Sequence, residues 1–167
     1  MKTILKYLIV FITLFFFNCS DKKEKNKKGF SYENSLQKTE QIIKKNASIS
    51  ASKKIDLNNK GIGPITSLKL SSKINQTMVT HGANVFKRMC TACHKSNKKF
   101  IGPSPQNILQ RRSPEWIMNM ILNPSEMTQK DPLAKALLIE FNGSPMPNQS
   151  LSIDDARNIL EYFRTLK

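Results

Sequence analysis

The chain has 167 residues, a formal net charge of +15, three cysteines and two histidines. Its excess of lysine is densest between residues 20 and 77, a region poor in aromatic residues. A nucleic-acid arm is disfavoured there, because the basic region follows residues 1–18, which have the form of an export signal. Residues 78–167 suffice for one small domain. A domain of this size buries only a small hydrophobic core, so we expect a cross-link or a bound group to stabilise it.

Residues 1–18 have the form of a secretory signal peptide. Lys2 and Lys6 precede an apolar run over residues 8–17, which is shorter than a bilayer span of about 20 apolar residues. Cys19 follows directly, and the arrangement resembles the looser bacterial lipoprotein signals of Bacteroidetes, in which this cysteine is lipidated. We therefore predict a lipid-anchored protein on the periplasmic side of a bacterial membrane. An ordinary signal peptide or an uncleaved anchor is the alternative.

Residues 19–54 are rich in Lys, Asn and Ser and predict a flexible, soluble tether. Attraction of its lysines to anionic lipid headgroups is a second interpretation. Residues 55–77 predict an extended segment, because Leu68 and Leu70 alternate with polar residues after the turn "KGIGP". One extended segment is not stable alone, so we expect it to pack on the domain that follows.

Residues 78–167 predict an all-α domain. Apolar residues recur at helical spacing from Asn75 to Cys90, and Pro114 marks the start of a second helix that ends before Pro124. A third helix is expected over residues 131–141. The last helix is marked by a capping box and an apolar stripe, formed by Ser152 with Asp155, and by Ala156, Ile159, Leu160 and Phe163.

The motif "CTACHK" brings Cys90, Cys93 and His94 together. A structural zinc site needs four ligands, and no second Cys pair is present. A thioredoxin-like redox pair belongs to an α/β pattern, which is missing. C-x-x-C-H is the attachment signature of c-type haem: each thiol adds across a haem vinyl group and the histidine ligates the iron. We predict one covalently bound haem c.

The surrounding sequence "GANVFKRMCTACH" resembles the opening of class I cytochromes c, with Gly82 and Phe86 in the family's positions. The resemblance covers about residues 78–167. It implies that the first and last helices cross around one haem, with Ile159 and Tyr162 opposite Gly82 and Phe86. The glycine would permit the close approach of the two helices.

The family resemblance also implies a methionine as second axial ligand of the iron, beside His94. Met118 and Met120 lie in a predicted apolar helix and are expected to fill the core. Met127 and Met146 are the loop candidates. "GSPMPNQSL" resembles the family's Met-Pro ligand loop, in which prolines restrict the backbone on both sides, so Met146 is preferred.

Other site residues are assigned from the segment after the haem motif. "FIGPSP" resembles the family's Gly-Pro turn, and Pro103 is expected to accept a hydrogen bond from His94. Arg111, Arg112 and Trp116 are candidate donors to the haem propionates, with a solvated basic face as the alternative. His81 is expected to be an exposed polar residue.

The predicted function is single-electron transfer by a membrane-tethered monohaem cytochrome, not an enzyme. "RRSPEWIMNMILNP" and "DPLAKALLIEFNGSPMPNQ" resemble cytochromes c associated with nitrous-oxide reductase in Bacteroidetes. That resemblance implies nitrous-oxide reductase as the redox partner. A haem-based gas sensor or haem enzyme with an open sixth position, and a fixed subunit of an oxidase, are the alternatives. A dihaem peroxidase is disfavoured, because it needs a second C-x-x-C-H.

Overall fold

The computed structural model describes residues 49–167 and confirms the all-α prediction for this part of the chain. A 3₁₀ turn covers Ile108–Gln110. The only β-type contact in the described part is an isolated parallel bridge between Asp56 and Arg112. None of the described helices is long and apolar enough to span a membrane. Residues 49–167 form five α-helices: α1 (Gln76–Met89), α2 (Pro114–Leu122), α3 (Pro124–Lys130), α4 (Pro132–Glu140) and α5 (Ile153–Phe163).

Proline begins three of these helices, and one of them was not expected. Pro124 was predicted only to lie past the end of α2, but it is also the first residue of α3. Proline lacks the N–H that an ongoing helix needs, yet its fixed φ suits the first position of a new one. Met127 is therefore helical, and its prediction as a loop residue is wrong.

Helices α1 and α5 pack closely, as the family resemblance implied. A Cβ atom on Gly82 would lie 2.0 Å from the carbonyl oxygen of Asn158 in α5, so only glycine fits at this contact. The Phe86 ring lies 5.6 Å from the ring of Tyr162 and 5.6 Å from that of Phe163. The expected contacts are present, and Phe163 adds to them.

Ser152 caps α5: its hydroxyl oxygen accepts from the Asp155 N–H, as the capping box predicted.

All five described helices contribute to one hydrophobic core. The core residues are Val85, Phe86, Trp116, Ile117, Met118, Ile121, Met127, Leu133, Ala134, Leu137, Phe141, Ala156, Ile159, Leu160 and Phe163.

Residues 50–75, which we call the strap, run along the outside of this domain. The Ile62 N–H donates to the Met127 sulfur at 2.9 Å, and the Leu68 N–H donates to Glu115 at 3.1 Å. Leu68 and Leu70 pack against the core, partly buried. This is the packing that was expected for residues 55–77.

The packed part of the chain begins earlier than the sequence suggested. The Ser52 N–H donates to Glu140 at 2.8 Å, and Arg112 donates to the Ala51 carbonyl oxygen at 2.6 Å. The boundary drawn at Ile55 therefore falls too late, because contacts with distant residues hold residues 51–54. The predicted signal peptide, Cys19 and most of the predicted tether lie outside the described residues.

Candidate haem site

The end of α1 presents two thiols and an imidazole within one turn. Cys90 is the C-terminal cap of α1. The N–H groups of Cys93 and His94 both donate to the Cys90 carbonyl oxygen, at 3.1 and 2.9 Å. Burial, and to a lesser extent Cys93, raise the pKa of the Cys90 thiol to about 11, which favours the neutral thiol.

The His94 ring is held from two sides. Its Nδ1 lies 2.8 Å from the Pro103 carbonyl oxygen, the acceptor that the sequence suggested. A carbonyl oxygen can only accept, so Nδ1 carries the proton and Nε2 is left as the ligating nitrogen. Gly102 lies against the ring: a Cβ atom there would be 2.5 Å from Cε1. The sequence pattern pointed to Pro103 but not to this contact of Gly102.

The three residues of the motif line a mostly apolar cavity of about 330 Å³. Its walls come from all five described helices, from the segments that connect them and from Ser52. Beyond the motif, the lining includes Met89, Ile101, Pro103, Ile108, Trp116, Ile117, Met120, Ile121, Ala134, Leu137, Leu138, Phe141, Pro145, Met146, Leu151, Ile159 and Phe163.

The methionines differ in whether they line this cavity. Met146 lines it, half-buried between Pro145 and Pro147. Met127 does not line it; its side chain is fully buried in the core, where its sulfur accepts from the strap. Met120, expected to be core filler, also lines the cavity. Its spacing from Trp116 and Ile117 on α2 could have placed it there.

The three propionate candidates also line the cavity, but their N–H groups differ in the hydrogen bonds that they already make. Trp116 donates its indole N–H to Asp131 at 3.2 Å, so it is a wall of the cavity rather than a propionate donor. Arg111 donates to the carbonyl oxygens of Asn107 and Gln106, at 3.3 and 3.0 Å. Burial lowers the pKa of Arg111.

Arg112 has a hydrogen-bond donor without a partner. It is buried, and its guanidinium lies over the Trp116 ring at 5.2 Å. Its Nε is the one buried side-chain nitrogen or oxygen in residues 49–167 that lacks a hydrogen-bond partner. A buried unpaired donor costs about 1–3 kcal/mol, so a carboxylate in the cavity fits this residue.

His81 lies outside the cavity. Its Nε2 is 3.0 Å from Asp155 on α5, and its side chain is exposed. Within residues 49–167, no three His, Cys, Asp or Glu side chains cluster as a metal site requires. The zinc interpretation of the cysteines therefore finds no further ligands in the described part.

These features define a c-type haem protein: two thiols and a fixed imidazole open into an apolar cavity that is also lined by a thioether and by a guanidinium with no ion-pair partner in residues 49–167. The chain belongs to the cytochrome c family, whose model matches residues 79–167, more than half of its length. It carries one covalently bound haem c, and the residues of the cavity fit that group. No curated protein matches the chain.

Solved structures agree with this assignment. The chain is 39% identical to a cytochrome c from Rhodothermus marinus, with a TM-score of 0.60, over 62% of this chain and 89% of that one. An engineered form of that cytochrome is 38% identical, with a TM-score of 0.60, over 62% and 90%. Another structure of the engineered form, bound to a carbene intermediate, is 38% identical with a TM-score of 0.58, over 62% and 89%. The similarity supports the class I cytochrome c fold.

Proposed function

We propose that this protein is a single-electron carrier in which His94 and Met146 are the axial ligands of the haem iron. The supporting observation is that Met146 and the His94 ring line the same cavity as Cys90 and Cys93. When bound, haem with His/Met ligation supplies one-electron chemistry at a raised potential. The chain contributes a fixed imidazole, a thioether held between two prolines, and apolar walls that limit the access of water.

The presence of a second axial ligand distinguishes an electron carrier from a gas sensor or a haem enzyme. Met146 closes the sixth position, whereas a gas sensor or a haem enzyme needs that position open. Met127 cannot serve without leaving the core. Met120 lines the cavity from α2 and is a rival thioether, as is Met89 at the end of α1. Neighbouring prolines restrict the backbone around Met146, which makes it the better placed ligand for a rigid site.

Methionine replacement tests the ligand. Ferric Met–iron ligation gives a weak far-red absorption band, expected here from the resemblance to class I cytochromes c. The band should disappear in Met146→Ala and persist in Met120→Ala, a matched change in the same cavity. Met127→Ala should also keep it, unless the loss of core packing prevents folding. Loss of the band in Met120→Ala alone would reverse the assignment.

Arg112 is the proposed propionate donor. Its Nε lacks a partner, and its charge has no carboxylate at ion-pair distance among the described residues. Arg111 stays a secondary candidate, because it is only half-buried, so water can satisfy its unused N–H groups, whereas Arg112 is buried. A charge-assisted bond from Arg112 to a haem carboxylate would orient the cofactor and neutralise part of its charge.

We also propose that Cys19 carries a lipid that anchors the protein on the periplasmic side of a bacterial membrane. The support is the sequence pattern alone. The experiment is Cys19→Ala, expressed in the native host. The variant should fail to mature or should be released in soluble form. Processing and membrane attachment identical to the unchanged protein would exclude lipidation.

Nitrous-oxide reductase is the proposed electron acceptor. The support is the resemblance of residues 111–124 and 131–149 to cytochromes c that are associated with that enzyme. The reduced cytochrome, mixed with the copper-containing reductase and nitrous oxide, should be oxidised catalytically. Omission of nitrous oxide is the control. No oxidation at any ratio of the two proteins would remove this partner and leave the carrier assignment standing. Stable co-purification with an oxidase would instead favour a fixed subunit.

A further inference from the structure

The first turn of the strap, residues 50–54, closes one edge of the haem cavity. Ser52 lines the cavity and donates both its N–H and its hydroxyl to Glu140, the last residue of α4. Leu137 and Leu138 of the same helix also line the cavity. The turn is therefore attached to a wall of the haem site.

The same turn also binds Arg112. Nη2 of Arg112 donates to the Ala51 carbonyl oxygen at 2.6 Å, and Nη1 donates to the Lys54 carbonyl oxygen. Nη1 also lies 2.8 Å from the Arg111 carbonyl oxygen. Both N–H groups of Nη1 are thus bound to backbone, and one N–H of Nη2 and the N–H of Nε are left in the guanidinium of Arg112, which lines the cavity.

The charge of Arg112 has no ion-pair partner in residues 49–167. Burial and the neighbouring Arg111 lower its pKa, while Asp56, Asp131 and Glu140 oppose this from a distance. These three acids bond to other groups, Asp56 to Asn59, Asp131 to Trp116 and Glu140 to Ser52. A buried cation without a counter-ion suits one of the two carboxylates that haem brings.

We propose that the turn 50–54 helps to set the haem potential: by bonding to both Nη groups it holds the Arg112 guanidinium at the edge of the cavity, where its remaining N–H groups meet a haem propionate. This rests on the propionate role proposed for Arg112. An uncompensated carboxylate stabilises ferric iron, which carries one more positive charge than ferrous iron, and a guanidinium beside the carboxylate offsets that preference. Ala51, Ser52 and Lys54 are thus positioning residues, and loosening the turn lowers the potential.

The test is a redox titration of the haem-loaded full chain with Ser52→Pro. This substitution removes both bonds to Glu140 and changes no charge. We expect the reduction equilibrium to move about tenfold toward ferric haem, a potential about 59 mV lower for one electron. Ser67→Pro is the matched control, because Ser67 is exposed in the same strap and its N–H donates no hydrogen bond within the described chain. It should leave the potential unchanged.

Two further variants keep the inference testable if Ser52→Pro does not assemble, and separate it from the propionate assignment. Ser52→Ala removes only the hydroxyl and should lower the potential by less. Arg112→Gln should lower it on its own, and Ser52→Pro should then add nothing. Unchanged potentials in both Ser52 variants, or fully additive shifts in the double variant, would overturn the role of the turn. An unchanged potential in Arg112→Gln would overturn the propionate assignment as well, while the far-red band would still report Met146.

Discussion

The His94 imidazole shows how single residues prepare this site. Its Nδ1 bonds to Pro103, and Gly102 leaves room for the ring only because it lacks a side chain. The sequence pointed to the Pro103 bond through the resemblance of "FIGPSP" to a family turn. The contact between Gly102 and the ring could not be anticipated, because it depends on how residues 94 and 102 fold onto each other.

Gly102→Ala should disturb the haem without unfolding the protein. The added Cβ would lie 2.5 Å from the His94 ring, which must shift and weaken its bond to iron. We expect a larger high-spin fraction in the absorption spectrum and a potential different from that of the unchanged protein. Gly82→Ala, which adds the same methyl far from the ring, should leave the spectrum of the folded protein unchanged. A wild-type spectrum in Gly102→Ala would contradict the proposed contact.

The helices illustrate what local sequence can predict. The apolar spacing marked α1, Pro114 marked the start of α2, and the capping box at Ser152 marked α5. Helix α3 was missed, because Pro124 ends one helix and begins the next. The packing of residues 51–54 was also missed, because bonds from Arg112 and to Glu140 hold them, and both partners are distant in sequence.

At the α1–α5 contact, Gly82→Ala should reduce stability. Backbone atoms of Asn158 and Ile159 lie within 3 Å of the new Cβ, and backbone cannot rotate away as a side chain can. Overpacking of this kind costs about 1–3 kcal/mol. Chemical denaturation would measure the loss. Wild-type stability in this variant would mean that the helices can separate without cost.

Asn119 joins α2 to the strap, and no motif in the sequence marked it. The fully buried amide donates to the carbonyl oxygens of Lys60 and Ile65 and accepts from the Ile65 N–H, at 2.9 to 3.0 Å. Asn119→Ala should lower the free energy of unfolding by about 2–3 kcal/mol, because buried backbone groups lose their partners. The exposed residue Asn97, changed to Ala, is the control, and its stability should stay within about 0.5 kcal/mol of wild type.

Glu161 of α5 links the two halves of the described chain, because it bonds to Asn75 at the start of α1. Its buried carboxylate accepts from the Asn75 N–H at 2.9 Å and from Arg157 and Arg164 at 2.7 Å each. Burial alone would raise its pKa, but the Asn75 bond and the two arginines together hold the pKa below its usual value.

A lowered carboxylate pKa makes stability depend on acid pH. The stabilisation is present above the unfolded pKa of about 4.3 and is lost as pH falls through the lower folded pKa. Glu161→Gln should therefore be less stable than wild type at neutral pH, and the difference should shrink below about pH 4. Denaturation midpoints at several pH values would measure this. A difference that stays constant down to acid pH would contradict the role of the ionised carboxylate.

The central claim is that the haem of this protein exchanges electrons with its sixth position closed by Met146. The most direct measurement is the carbon monoxide difference spectrum of the reduced full-length protein. We predict no difference spectrum at neutral pH in the unchanged protein, and rapid carbon monoxide binding in Met146→Ala. Rapid and complete binding by the unchanged protein would contradict the carrier assignment and favour a gas sensor or a haem enzyme.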